Sequence, residues 1–177
     1  MAVRPATALA VGTTRTPWGG LSVAVDLDGR APVIVASCLA PLADLDPVLE
    51  RVGLADSRHR RDRDPGGVIT IVQAWLDGDA DAILRPHVRQ PGGDFRQAAW
   101  SAMRRIRGGS VATYSDLASS AGSPRAVRAA GSACALNAIA PFVPCHRVVR
   151  TGGTLGSYYY GTDIKQAILI HEGALAA

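Results

Sequence analysis

Hydrophobic and polar positions in the first half of the chain predict a small α/β unit. Residues 21–25 alternate between larger apolar and smaller side chains, and residues 33–35 form a β-branched run. Both patterns are typical of strands. A hairpin that turns at Asp28-Gly29 is the simplest connection between them.

The residues after this hairpin contain signals for short helices and one further strand. Asp46-Pro47 predicts an N-cap and a first-turn proline of a helix that Gly53 ends. Residues 57–67 alternate Arg and Asp, which predicts a solvated surface loop. Residues 68–76 combine strand propensity with apolar side chains at helical spacing, and we favour a helix. We also expect a strand around residues 83–88.

A cluster of proline and glycine at residues 91–93 marks the predicted domain boundary. We therefore expect an N-terminal domain over residues 1–91 and a mostly helical domain over residues 92–177. In the second domain the sequence predicts four helices, over residues 95–106, 116–120, 124–136 and 164–172. Gly108-Gly109 follows the first helix, and Ser115 precedes the second. Ser123-Pro124 opens the third helix and Asn137 ends it, and Thr162 and Gly173 flank the fourth.

The second and third of these helices form a helix-turn-helix pattern. Residues 125–133 of the third helix are mostly small, with Arg125 and Arg128 between them. Small residues allow close packing against another helix, and they equally allow a helix backbone to approach a DNA groove into which arginine reaches. The pattern alone leaves both interpretations open.

Composition narrows the class of protein. The 177 residues, of which 47% are hydrophobic and 19% charged, suit one large or two small domains with a real core and exclude a mainly disordered chain. Arg4, Pro5, Arg15 and Pro17 interrupt the segment in which a signal peptide would keep an apolar stretch, and no run is long enough to span a membrane. We expect a soluble, cytoplasmic protein without membrane contact.

Charge is unevenly divided along the chain. Residues 1–92 contain ten Arg against ten Asp and one Glu, a net charge of −1, whereas residues 93–177 contain eight Arg and one Lys against three Asp and one Glu, a net charge of +5. A basic half beside a nearly neutral one indicates a surface that binds a polyanion.

The three cysteines are widely spaced and odd in number, which supports neither a disulfide framework nor a four-ligand zinc site. A lone cysteine is most often a small buried residue. Cys145, however, is followed by His146, Arg147 and Arg150, and such electropositive neighbours favour the reactive thiolate. Cys38 and Cys134 lack such sequence neighbours, and we expect them to be inert.

These residues resemble a known family. The motif Pro-Cys-His-Arg-Val-Val from Pro144, together with segments 111–114 and 122–129, Asn137 and residues 165–173, is similar to the O6-alkylguanine-DNA alkyltransferases. The similarity runs in order from about residue 95 to residue 173. It implies an α+β fold, in which a small ribonuclease H-like α/β domain precedes a mostly helical, winged-helix-like DNA-binding domain with the helix-turn-helix.

The resemblance implies roles for five catalytic residues. Cys145 would attack the alkyl carbon, with His146 as its base through a bridging water and Glu172 orienting the imidazole. Asn137 would brace the turn that holds Cys145. Tyr114 would crowd the target phosphate and hydrogen-bond the flipped base at N3.

Further residues would bind DNA and the extruded base. The recognition helix of the family enters the minor groove, and Arg128 matches the arginine that fills the vacancy in the base stack. The other residues that we assign to the DNA surface are Arg125, Ala126, Ala129 and Gly131. For the substrate pocket we expect Tyr158 as a wall, contacts to guanine from the Val148 carbonyl and the Tyr159 amide, and Pro144 and Tyr160 beside them.

The implied reaction is stoichiometric DNA repair, in which an alkyl group passes from O6-alkylguanine, and from O4-alkylthymine, to Cys145. The product is a thioether, and thiolate leaves sp³ carbon poorly, so each molecule would react once. We expect double-stranded alkylated DNA as the partner, a monomeric protein, no cofactor and no metal. Competing classes are a cysteine hydrolase, a regulator with a helix-turn-helix, and a non-enzymatic protein that senses lesions.

Overall fold

The computed structural model describes residues 8–176 of the chain, which form a mixed α/β fold. Arg4 and Pro5, on which the signal-peptide argument partly rests, lie outside the described residues. Within the described part, no helix has the length and apolar character that crossing a membrane requires.

The N-terminal part is built on a five-stranded sheet. Its strands are β1 (Leu9–Thr16), β2 (Gly19–Asp26), β3 (Val33–Cys38), β4 (His59–Arg61) and β5 (His87–Val88), in the order β4-β1-β2-β3-β5. The first three strands form an antiparallel meander, which confirms the predicted hairpin between β2 and β3. β4 runs parallel to β1, and β5 runs parallel to β3.

Consecutive buried residues in the central strands form the core of this sheet. Residues 21–25 of β2 are all buried, and so are residues 34–38 of β3. The sequence patterns did not predict strand β1. Its Gly12 lies so close to Pro65 that a Cβ atom would come within 2.6 Å of the proline ring, so glycine is required there for packing.

Two predictions for this part of the chain, one of a loop and one of a strand, need correction. The predicted loop over residues 57–67 contains β4, whose side chains are all exposed. Its pairing with the β1 backbone makes it a strand, and no hydrophobic pattern could reveal that. The strand expected around residues 83–88 is a 3₁₀ turn, Ala82–Leu84, followed by the two residues of β5.

The helices of this part are α1 (Asp46–Arg51) and α2 (Val68–Leu76). α2 confirms the choice of helix over strand for these residues, and its buried side chains Val68, Val72 and Trp75 recur at helical spacing. In α1, Leu45 occupies the N-cap position without a side-chain cap, and Asp46 is already helical.

The C-terminal part contains four helices, α3 (Asp94–Met103), α4 (Tyr114–Ser120), α5 (Val127–Ala135) and α6 (Thr162–His171). Two short parallel strands, β6 (Ala112–Thr113) and β7 (Val148–Val149), pair with each other. α4 and α5 contact each other as the predicted helix-turn-helix requires. The indole Nε1 of Trp100 donates to the Ala133 carbonyl at 2.9 Å and ties α3 to α5.

Several helix ends differ from the predictions. Thr113, not Ser115, caps α4, because its hydroxyl and the Asp116 carboxylate form a reciprocal capping box. α5 begins at Val127, after a turn that contains Pro124. α3 ends at Met103, three residues before the expected end, and α6 starts at Thr162 itself.

The chain forms two compact units. Among the described residues, the first comprises residues 8–77 with segments 82–91 and 138–142, and the second comprises segments 78–81, 92–137 and 143–176. A single boundary after residue 91 would place segment 78–81 in the first unit and segment 138–142 in the second. In the structure, segment 78–81 belongs to the second unit and segment 138–142 to the first.

Candidate active site

Cys145 lies in a 3₁₀ turn, Cys145–Arg147, directly before β7. Its thiol is buried, with 8% of the residue exposed. The side-chain amide of Asn137 donates to Cys145 Sγ at 3.2 Å and to the Val143 carbonyl at 2.7 Å. One buried amide therefore holds both the sulfur and the backbone that leads into the turn.

Burial raises the pKa of the Cys145 thiol, and the hydrogen bond from Asn137 and the charge of Lys165 oppose this rise only in part. The sequence predicted a thiolate favoured by His146 and Arg147, so this expectation was wrong. The nearby cation is instead Lys165, which is buried on α6 and donates to the Val148 carbonyl at 2.5 Å. A buried, protonated thiol needs a base before it can attack.

His146 has the geometry of such a base. Its ring is fully buried, and Nε2 lies 3.2 Å from both carboxylate oxygens of Glu172. The nitrogen that faces a carboxylate carries the proton, which leaves the lone pair on Nδ1. Nδ1 is buried and makes no hydrogen bond to any residue between 8 and 176. Burial lowers the pKa of His146, so the imidazole is neutral near pH 7 and Nδ1 can accept a proton.

Glu172 is held by a second buried partner that the sequence did not reveal. Arg147 Nε and Nη2 donate to the two oxygens of Glu172, each at 2.8 Å, and form a bidentate pair. The same guanidinium donates to the carbonyls of Ile106 at 2.7 Å and Ala80 at 2.6 Å. Arg147 is fully buried and is thus a structural anchor of the carboxylate.

The pKa of Glu172 is lowered to about 2. Burial by itself would raise this pKa. The interaction with His146, and the hydrogen bonds and positive charge of Arg147, lower it by more than burial raises it. Glu172 is therefore ionised throughout the physiological range. An ionised Glu172 fixes the tautomer and the orientation of His146.

A small cavity of about 210 Å³ opens beside the thiol. Its lining residues come from α4, α5, the Cys145 turn and the loop before α6, namely Tyr114, Cys134, Ala135, Cys145, Ser157, Tyr158 and Tyr159. The Tyr158 hydroxyl is buried without a hydrogen bond to the described residues, and burial raises its pKa well above the usual value. An unpaired hydroxyl in a small cavity is suited to bind a polar group of a ligand.

The three consecutive tyrosines are placed differently from one another. Tyr159 lines the cavity but is 76% exposed, whereas Tyr160 is not among the lining residues. The Tyr160 ring stands edge-on to both neighbours, with centroids 5.5 Å from Tyr158 and 5.0 Å from Tyr159. Pro144 and Val148 are buried beneath the turn and do not line the cavity either.

Cys134 was expected to be inert because no charged residue is adjacent in the sequence. The structure places it in the wall of the cavity that Cys145 faces. Burial raises its pKa, as it does for Tyr114 in the same wall, so both groups remain protonated near pH 7. No sequence signal connects Cys134 with Cys145, because their proximity depends on how α5 packs.

The helix-turn-helix presents a polar face to solvent. Arg125, Arg128 and Ala129 are exposed, and Ala126 and Gly131 are half-buried. The two guanidiniums make no ion pair with any residue in the described range 8–176 and are available to an external anion. In the same part of the chain, no group of three or more His, Cys, Asp or Glu side chains is arranged to hold a metal ion.

Comparisons with known proteins point to one family. Residues 94–174 match the family model described as the 6-O-methylguanine DNA methyltransferase, DNA binding domain. The chain is 47% identical over 78 residues to the bifunctional transcriptional activator/DNA repair enzyme Ada of Escherichia coli, covering 44% of this chain and 22% of that protein. It is 38% identical over 111 residues to the methylated-DNA–protein-cysteine methyltransferase of Salmonella typhimurium, covering 63% of this chain and 65% of that protein.

The matched segment therefore spans less than two thirds of these two relatives. Other matches cover more. A Mycobacterium tuberculosis O6-methylguanine methyltransferase structure superposes with a TM-score of 0.71 at 27% identity over 96% of this chain and 95% of that one. The methylated-DNA–protein-cysteine methyltransferase of Shigella flexneri is 34% identical over 131 residues, which cover 70% of this chain and 77% of that protein. The chain belongs to the methylated-DNA–protein-cysteine methyltransferase family.

Proposed function

We propose that this protein repairs DNA by moving an alkyl group from O6-alkylguanine to Cys145 in a single, stoichiometric reaction. The observation that carries the proposal is the buried chain of groups behind the thiol. Cys145 faces a cavity, and the next residue is a neutral buried histidine whose Nδ1 has no partner among residues 8–176. Glu172 holds the Nε2 side of that histidine and is itself held by Arg147.

In the proposed reaction the sulfur of Cys145 displaces guanine from the alkyl carbon. The S–C bond forms as the C–O6 bond breaks, and the thiol proton passes through a bridging water to His146 Nδ1. Glu172 then stabilises the imidazolium, because its charge lies 3.2 Å from Nε2. The raised pKa of the thiol makes this proton transfer necessary, and Asn137 holds the sulfur in place for it.

The departing guanine must gain a hydrogen bond or a proton as its charge develops. Tyr114 and Tyr158 both line the cavity with hydroxyls that burial keeps protonated, so each is able to donate. Following the family resemblance, we assign Tyr114 to N3 of the base and Tyr158 to the wall of the alkyl pocket. The Val148 carbonyl already accepts from Lys165, and a contact from it to guanine would use its second lone pair.

The target atom of duplex DNA is inaccessible inside the base stack, so the nucleotide has to be extruded. We assign α4 and α5 to the minor groove, where the readout of sequence is degenerate and damage in any context is accepted. Exposed Arg128 would fill the space that the extruded base leaves in the DNA stack. The other assigned residues, Arg125, Ala126, Ala129 and Gly131, would lie against the DNA backbone. Mycobacterium tuberculosis OGT, whose structure was determined in complex with DNA, superposes on 93% of this chain with a TM-score of 0.69 and supports DNA as the partner.

Two further features belong to the same proposal. The antiparallel meander with a later strand parallel to its first strand supports a ribonuclease H-like N-terminal fold, and the helix pair with two short strands supports a winged-helix-like C-terminal fold. We also propose that the protein acts as a monomer and is cytoplasmic, as the sequence led us to expect.

The test is to incubate the protein with a duplex that contains one O6-methylguanine and to measure its intact mass. We expect one methyl group per molecule, located on Cys145 by peptide mapping, and a second duplex with O4-methylthymine measures the range of substrates. Cys145→Ser should bind DNA without transfer, whereas Cys134→Ser, a matched change in the same cavity, should retain transfer. Binding without any methyl transfer by the unmodified protein would identify a lesion sensor instead, and turnover of a fluorogenic ester would identify a hydrolase.

A further inference from the structure

A second strongly basic surface lies in the unit that does not contain Cys145. Four arginines and a histidine occur within six residues on and beside β4, and we call them the basic edge: Arg58, His59, Arg60, Arg61 and Arg63. All five side chains are exposed. Apart from these four arginines, residues 1–92 contain six Arg against ten Asp and one Glu, so this cluster is a local concentration of positive charge.

The position of β4 makes these charges accessible. β4 is an edge strand that pairs only with β1 in the five-stranded sheet. Arg60 forms an ion pair with Asp62 at 3.3 Å. Arg58, Arg61 and Arg63 form no ion pair with any residue from 8 to 176, so three guanidiniums remain without a countercharge in that part of the chain.

The surface beside β4 is concave. Two cavities of about 290 and 300 Å³ adjoin the strand and share Val11, Leu42 and Arg61 as lining residues. Arg63 lines the first cavity and His59 lines the second. Asp62 also lines the first cavity, where the two guanidiniums outnumber the one carboxylate. Asp46 lines the second cavity and balances its one guanidinium.

Charges on an edge strand also prevent unwanted pairing between sheets, which is the simplest alternative explanation. Charged side chains of either sign can serve edge protection. It does not require three arginines that lack an ion pair among residues 8–176 and lie beside a concave surface, in a chain whose helix-turn-helix is proposed to bind DNA.

We propose that the basic edge binds the phosphate backbone of duplex DNA, as a contact additional to the helix-turn-helix. This rests on the proposed function, because that function makes DNA the polyanion that the protein meets. Guanidinium groups suit phosphate, since they offer several donors in a planar fork. The contact is independent of sequence and of damage, because phosphates carry no base information.

The experiment is a salt titration of binding to an undamaged duplex. In the triple variant Arg58→Gln, Arg61→Gln, Arg63→Gln, each lost phosphate contact should reduce the slope of log affinity against log salt by about 0.9. The matching triple Arg→Lys variant keeps the charge and should retain the slope of the unmodified protein. Arg30→Gln is the control, because Arg30 is exposed in the turn between β2 and β3 and lies outside the cluster.

Reaction of Cys145 with free O6-methylguanine base measures the active site without DNA and should be unchanged in all these variants. A failure of the proposed function would abolish that reaction in the unmodified protein, while the salt slopes would still report on the basic edge. An unchanged slope in the triple Gln variant overturns the proposal, as does an equal loss in Arg30→Gln. An unchanged slope accompanied by self-association would identify edge protection as the role of these arginines.

Discussion

Glu172→Gln removes one negative charge from the buried group behind the thiol and leaves its shape nearly intact. In the unmodified protein this carboxylate accepts two hydrogen bonds of 2.8 Å from Arg147 and faces Nε2 of His146 at 3.2 Å. The amide cannot balance the Arg147 guanidinium, which is fully buried. We expect the variant to be less stable and to lose alkyl transfer, because His146 is no longer oriented or stabilised as a cation.

The magnitude follows from the pKa of Glu172, which folding lowers from its ordinary value of 4.5 to about 2. Each pKa unit corresponds to about 1.4 kcal/mol, so the ionised carboxylate contributes about 3 kcal/mol to the free energy of unfolding. A loss of about 3–5 kcal/mol is also the usual effect of removing one partner of a buried ion pair. For a carboxyl whose pKa is lowered by folding, this contribution is present above about pH 4.5 and disappears as the pH falls towards 2.

Urea unfolding between pH 7 and pH 2.5 measures this contribution. At pH 7 the free energy of unfolding of the unmodified protein should exceed that of Glu172→Gln by about 3 kcal/mol. This difference should shrink as the pH falls through the lower part of the range. Asp163→Asn is the matched control on α6, because Asp163 is exposed and should cost less than about 1 kcal/mol. Glu172→Asp keeps the charge and should keep the pH dependence. A difference between the two proteins that stays constant with pH would refute the reasoning.

Three further outcomes test the substrate side of the site. Arg128→Ala should slow repair of duplex DNA far more than reaction with free O6-methylguanine base, where no nucleotide has to be extruded. Equal losses on both substrates would make Arg128 a simple phosphate contact. Arg125→Ala should mainly reduce the salt dependence of DNA binding. O6-benzylguanine should inactivate the protein slowly. Tyr159→Gly, which removes a ring from the cavity wall, should raise the rate of inactivation roughly tenfold and leave methyl transfer unchanged. Tyr160 does not line the cavity, so Tyr160→Gly should change the rate of inactivation less. Reaction with free base should decline only below about pH 6.5, because burial lowers the pKa of His146 and keeps it a base in more acidic solution; a decline centred above that pH would contradict the assigned role.

Local sequence signals account for the elements that were predicted correctly. The hairpin of β2 and β3 and the helix α2 depend on the spacing of their own apolar residues and on the turn residues between them. The pair α4 and α5 was recognisable because breaking residues separate two short helical stretches. β4 was missed, because it has no apolar pattern and exists through its pairing with β1.

The same division applies to the site. Cys145 and His146 are adjacent in the sequence, so their motif could be recognised directly, and the resemblance added Glu172 and Asn137. The bidentate pair between Arg147 and Glu172 joins residues 25 positions apart. Only packing of α6 against the Cys145 turn creates it.

The sequence by itself determined which residues can do the chemistry, since a nucleophile, a base and a carboxylate are defined by residue type and motif. The tertiary structure decided their ionisation. Neighbours in the sequence suggested a thiolate at Cys145, yet burial raises the pKa of that thiol, and the same burial keeps His146 neutral. Burial and the approach of distant charges, such as Lys165 to Cys145 and Arg147 to Glu172, depend on how helices and turns pack together, and no local pattern of residues contains that information.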